Sequence, residues 1–137
     1  MKVLPQNVSE EIENFVAQEK VWLNQLKGCE DQLEALQSQL DSFSEIATSY
    51  DTKKIGHFQN LFSYYQSEII RRLKHTVRLN MQNLQGLVSR NPEQYYFNYL
   101  NDLTHHREKL ENFFSRFSSI HEEFSSYVKQ SGLRATA

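Results

Sequence analysis

The chain has 137 residues, 39% of them apolar, with 15 Lys/Arg against 17 Asp/Glu for a net charge of −2. Four glycines and two prolines are too few turn residues for a sheet fold of this length. No run of about 18 apolar residues can span a bilayer, and a single cysteine excludes an internal disulfide.

The first element is written in heptads. Val8, Ile12, Phe15, Glu19, Trp22, Leu26, Cys29, Leu33, Leu36, Leu40, Phe43, Ala47 and Tyr50 recur in alternating steps of four and three. That spacing keeps one face of a helix apolar over residues 8–49, interrupted by one charge, Glu19. Asn7 can cap its start, with Glu10 three residues on completing a capping-box pattern. Gly28 falls on the outer face.

A turn is expected at Tyr50-Asp51-Thr52, with Asp51 as the cap of a second helix over 52–89. Its stripe, Ile55, Phe58, Phe62, Tyr65, Ile69, Leu73, Val77, Leu84 and Val88, is looser, with a period nearer 3.6 than 3.5. Asn91-Pro92 marks the next boundary, since proline suits the first helical position. The third helix, over 92–130, reads Tyr96, Tyr99, Leu103, His106, Leu110, Phe113, Phe117, Ile120, Phe124 and Tyr127, and a disordered tail is expected over 132–137. Short connections make neighbouring helices antiparallel. The expected fold is therefore all-α: one domain, an up-down-up bundle of three long helices with coiled-coil-like packing.

Charge agrees with that pairing. Residues 1–50 hold three basic and nine acidic side chains, residues 51–90 seven and two, residues 91–137 five and six. An acidic first helix beside a basic second one favours one register, although each exposed pair adds little stability. Three heptad helices with a tryptophan in the first resemble spectrin-type repeats in architecture, with longer helices here and no shared motif.

Histidines 105 and 106 are adjacent, so on a helix they diverge by about 100° and cannot share one ligand. Asp102-x-x-His105 is the nearest approach to a helical metal motif, and it points outward. No metal or cofactor is expected, and metal or small-molecule binding in the bundle core is the outside alternative. His106 takes a core position, and folding the helices back on short turns places Thr76 and Leu26 near it, with Glu19 near Asn83 and Leu100. Glu19, Thr76 and His106 are therefore expected to be core polar groups that fix register. The same arithmetic brings Cys29 within a turn of His106. With no strained turn, oxyanion hole or cleft signalled, the pair points to packing rather than to an enzyme.

Two surfaces stand out. Arg71, Lys74, His75 and Arg78 form a basic stripe able to meet an anionic partner, nucleic acid or acidic protein. The acidic first helix is the more economical partner for it, so nucleic acid is not the favoured one. Tyr64, Tyr95 and Phe97 fall outside the core stripes, as do Val16, Leu23, Ile46, Leu61, Ile70, Leu79, Met81 and Leu87. That surplus of apolar surface predicts a protein-interaction module that forms a homodimer or binds another helical protein. The start, MKVLPQNVSEE, lacks the apolar stretch of a signal peptide, so the expected location is cytoplasmic.

Overall fold

The structure is a computed structural model that describes residues 7–87 and 92–136, with side chains described for residues 7–86 and 93–131. The cap expected at Asn91, core residue Val88 and the side chains of Leu87 and of the tail lie outside that set.

The protein is all-α, with no strand among the described residues. Helix α1 spans Val8–Ile46, and Asn7 caps it: the Glu10 N–H donates to Asn7 Oδ1 at 3.0 Å. A 3-10 turn over Ser49–Asp51 leads into α2, Thr52–Tyr64. Asp51 stands at the start of α2 but makes no side-chain cap bond. Its carboxylate, buried, instead accepts from the Tyr127 hydroxyl and from Thr48 Oγ1 at 3.4 Å. A π turn over Tyr65–Ile69 follows, then α3, Ile70–Leu87, and α4, Pro92–Thr136.

The π turn explains why the second stripe looked loose. Wider i→i+5 bonding absorbs one extra residue into a helix. Heptads counted from Phe62 would bury position 69 and then position 76. Past the π turn the buried set is Ile70, Val77 and Leu84, each one residue later. Ile69 is only half-buried and Thr76 is exposed. Of the apolar residues expected as surplus, Ile70 is thus core, and Val16 of α1 is core as well.

Contacts gather the chain into two compact units, Met1–Lys27 with Arg72–Glu111, and Gly28–Arg71 with Asn112–Ala137. In the first, Ile12, Val16 and Leu84 form a core that Val8, Phe15 and Tyr99 cover. Along α1 and α4 the contacts advance together: Phe15 meets Tyr96 and Tyr99, and Trp22 meets His106. In the second unit the core is aromatic. Phe58 and Phe62 stand edge-on to Phe124 at 5.1 and 5.2 Å, and Tyr65 meets Phe113 at 5.9 Å. There the segment from α2 into the π turn runs opposite to α4, since the contact moves from 124 to 113 between Phe58 and Tyr65. Edge-to-face pairs of this kind add about 0.5–1.5 kcal/mol each beyond burial. The Lys54–Glu123 pair at 4.0 Å has both side chains half exposed, so solvent screens it and it contributes little.

If the π turn sets the register, deleting the exposed Ser67 within it will return the segment to α-helix and keep Ile70, Val77 and Leu84 facing the seam. Stability should then stay within about 1 kcal/mol of the parent. Deleting His75 from regular α3 will swing Val77 and Leu84 off the seam by about 100° and cost more than about 3 kcal/mol. Urea midpoints of the two deletions decide the matter, and equal losses would reject it.

Candidate functional site

The first unit carries a buried polar cluster built on α1. Glutamate is a good helix former, so Glu19 costs the local helix nothing; its cost lies in where the helix places it. It occupies the heptad core position between Val16 and Trp22 and is 0% exposed. An unpaired carboxylate there would lose several kcal/mol of hydration. Two groups on α4, seven residues apart, answer it. His106 Nε2 lies 2.9 Å from Glu19 Oε1 and 3.1 Å from Oε2, and the Tyr99 hydroxyl donates to Oε1 at 2.8 Å. The Trp22 ring meets the imidazole edge-on, with centroids 5.2 Å apart, and fixes its plane.

Burial, reinforced by the neighbouring Glu19 carboxylate and its hydrogen bond, holds the Tyr99 phenol well above its ordinary pKa; Arg107 opposes this weakly. Tyr99 therefore remains a donor at any ordinary pH. Among the described residues, no buried side-chain nitrogen or oxygen lacks a hydrogen-bond partner.

Spacing alone assigned Glu19 and His106 to separate layers, the first near Asn83 and Leu100, the second near Thr76. The structure joins them in one layer. Thr76 is not a core polar group: the one-residue slip at the π turn turns it to solvent and places Val77 in the seam. His105 is exposed. Cys29 belongs to the second unit, where burial pushes its thiol up to about 11. At neutral pH it is a protonated, apolar filler rather than a thiolate. No group of three or more His, Cys, Asp or Glu among the described residues is arranged to hold a metal ion.

A cleft of about 140 Å³ opens beside the cluster. Tyr99 and His106 line it with Leu84 and Leu103, and Asn80, Asn83, Tyr95, Asn98 and Asp102 complete its wall. Asn98, Asp102 and His106 are four apart, so they rise along one face of α4. Sequence reasoning missed this cleft and Tyr99's role as a partner. A signal existed: asparagine is a poor helix former, and three of them flank the seam of two helices.

In the second unit a cleft of about 150 Å³ lies at the end of α1, lined by Phe43, Ile46, Ala47, Thr48, Tyr50, Asp51 and Ser131. Ile46 is 65% and Tyr50 83% exposed at its rim.

The remaining surface residues fall as follows. Tyr64 and Tyr95 are exposed, whereas Phe97, expected on the outer face, is half-buried with its ring 5.5 Å from Tyr96. Arg71, His75 and Arg78 are exposed and Lys74 is half-buried. Comparison with protein-family models, curated proteins and solved structures found no match.

His106→Leu will strand the Glu19 carboxylate and cost about 3–5 kcal/mol, while Glu19→Leu/His106→Leu together will recover most of that loss. Tyr99→Phe removes one bond to a charged group and should cost about 1.5–3 kcal/mol. A denaturant double-mutant cycle checks both. Additive losses from the two leucine substitutions would show that Glu19 and His106 are not coupled.

Proposed function

We propose that the protein is a non-enzymatic interaction module that self-associates through exposed apolar and aromatic side chains on its helices. The observation that carries this reading is the rim of the second unit's cleft, where Ile46 and Tyr50 stand 65% and 83% exposed. Tyrosine at such a site offers a large contact area at low entropic cost, which is why it anchors interfaces. The turn that carries Tyr50 is braced from within. Asp51 N–H bonds to the Thr48 carbonyl at 3.0 Å, and the Asp51 carboxylate is held by Tyr127. A braced anchor loses little freedom when it binds.

Tyr64 and Tyr95, 51% and 40% exposed, extend the same character to other helix surfaces. Phe97, being half-buried, is a weaker candidate for an anchor. The buried polar groups support the same reading, because Glu19, His106 and Tyr99 are engaged with one another.

Sedimentation velocity across a concentration series tests the reading. The parent should associate, and Ile46→Ser/Tyr50→Ser should weaken association by at least about tenfold, or ~1.4 kcal/mol. The helical circular-dichroism signal should be unchanged, since both side chains are exposed. A parent that stays monomeric throughout would overturn self-association.

A further inference from the structure

Helix α3 carries four lysines and arginines and no acidic residue. Arg71, His75 and Arg78 follow one another at steps of four and three, so they rise along one face of that helix, and all three are exposed. Leu79 stands beside them, 46% exposed. The charge pattern of the chain offers α1 as their counter-charge, but that pairing is not made within one copy. Among the described residues, none of the three joins an ion pair or a side-chain hydrogen bond. Arg72 and Lys74, by contrast, are engaged within the chain.

A matching surface lies on the second half of α1. From Gly28 to Ile46 that helix has five acidic side chains and no lysine, arginine or histidine. Asp31, Glu34, Asp41 and Glu45 are exposed, share one face, and join no ion pair among the described residues. Glu34 and Asp41 are seven residues apart, as are Arg71 and Arg78, so each pair spans about 10.5 Å along its helix. Two helices lying side by side, parallel or antiparallel, thus bring both acids onto both bases at once. The acidic face ends at Glu45, next in the chain to Ile46, whose exposed side chain belongs to the apolar rim described above.

A charged helix face is ordinarily just solvated. Here opposite sign, equal spacing and the lack of an ion pair on either side make each face the complement of the other.

We propose that the basic face of α3 docks on the acidic face of α1 of a second copy of this chain, with Arg71 and Arg78 against Glu34 and Asp41. The inference rests on the self-association proposed above and names its polar contact. Charge steers the encounter and fixes its register, while apolar side chains such as Leu79 and Ile46 supply affinity.

Sedimentation velocity of two charge-reversed variants tests the docking. Arg71→Glu/Arg78→Glu makes both faces acidic, and Glu34→Lys/Asp41→Lys makes both basic. Alone, each should associate at least about tenfold more weakly than the parent. Mixed in equal amounts they should recover association, because the acidic α1 of the first then meets the basic α3 of the second. All four positions are exposed, so the variants should keep the parent's helicity. Glu111→Lys/Glu122→Lys, at exposed acids of α4, should leave association unchanged. A parent that is monomeric throughout overturns the docking together with the self-association it rests on. Charge-reversed variants that associate like the parent overturn the docking alone, as does a mixture no stronger than either variant by itself. Equal weakening by Glu111→Lys/Glu122→Lys would mean diffuse charge and overturn it too. If both charge-reversed variants still associate while Arg71→Glu/Arg78→Glu abolishes retention of an oligonucleotide at physiological salt, the basic face belongs to nucleic acid instead.

Discussion

The constraint on which the first unit depends is a carboxylate buried in a helix seam. Glu19 sits where a leucine would complete the heptad, and α4 supplies the groups that bond it. His106 and Tyr99 meet that need from two turns of the same helix face. An apolar seam tolerates sliding by a turn, because one leucine replaces another with little penalty. A buried ion held at 2.8–2.9 Å from two fixed donors does not. The cluster therefore ties the alignment of α1 and α4 to one arrangement, the best-attested use of polar groups in helix cores.

The π turn acts on a different variable. The Glu19 cluster fixes how far one helix lies along another, while the turn at Tyr65–Ile69 fixes which face the helix presents. One residue of slack rotates everything downstream. It moves Ile70 into the core, sets Thr76 outside and places Asn80 on the lining of the first unit's cleft. In the second unit aromatic rings meet edge to face beside buried leucines, and the Asp51 carboxylate, held by Tyr127, is its buried polar contact.

These internal arrangements shape what the surface offers. The buried polar groups are consumed in holding helices together, and the exposed features differ between units. One unit presents a braced tyrosine and an isoleucine around a turn; the other presents amides and a carboxylate beside a rigid floor. In both, the groups facing outward are held by buried bonds one layer below, at Asp51–Tyr127 and at Glu19–His106.

Much of this was legible in the chain itself. The heptads of residues 8–46 placed Ile12, Trp22, Leu26, Leu33 and Phe43 in the core, and those of α4 placed Leu110, Phe113, Phe117 and Phe124 there. The Asn7 cap was readable too. These features are local, because side-chain spacing and capping depend on residues within a turn of each other. The core position of Glu19 was equally visible, but its partners were not. Which residue of α4 reaches it depends on a register set by the sum of contacts along whole helices, to an accuracy finer than one turn. The slip that exposes Thr76 was hidden for a related reason: a π turn has no residue signature of its own and forms where packing on either side demands different phases. The sequence by itself thus determined helices, their apolar faces and the presence of one buried charge. Tertiary structure alone decided what that charge would meet, because the meeting point is fixed by distance in space and not by distance along the chain.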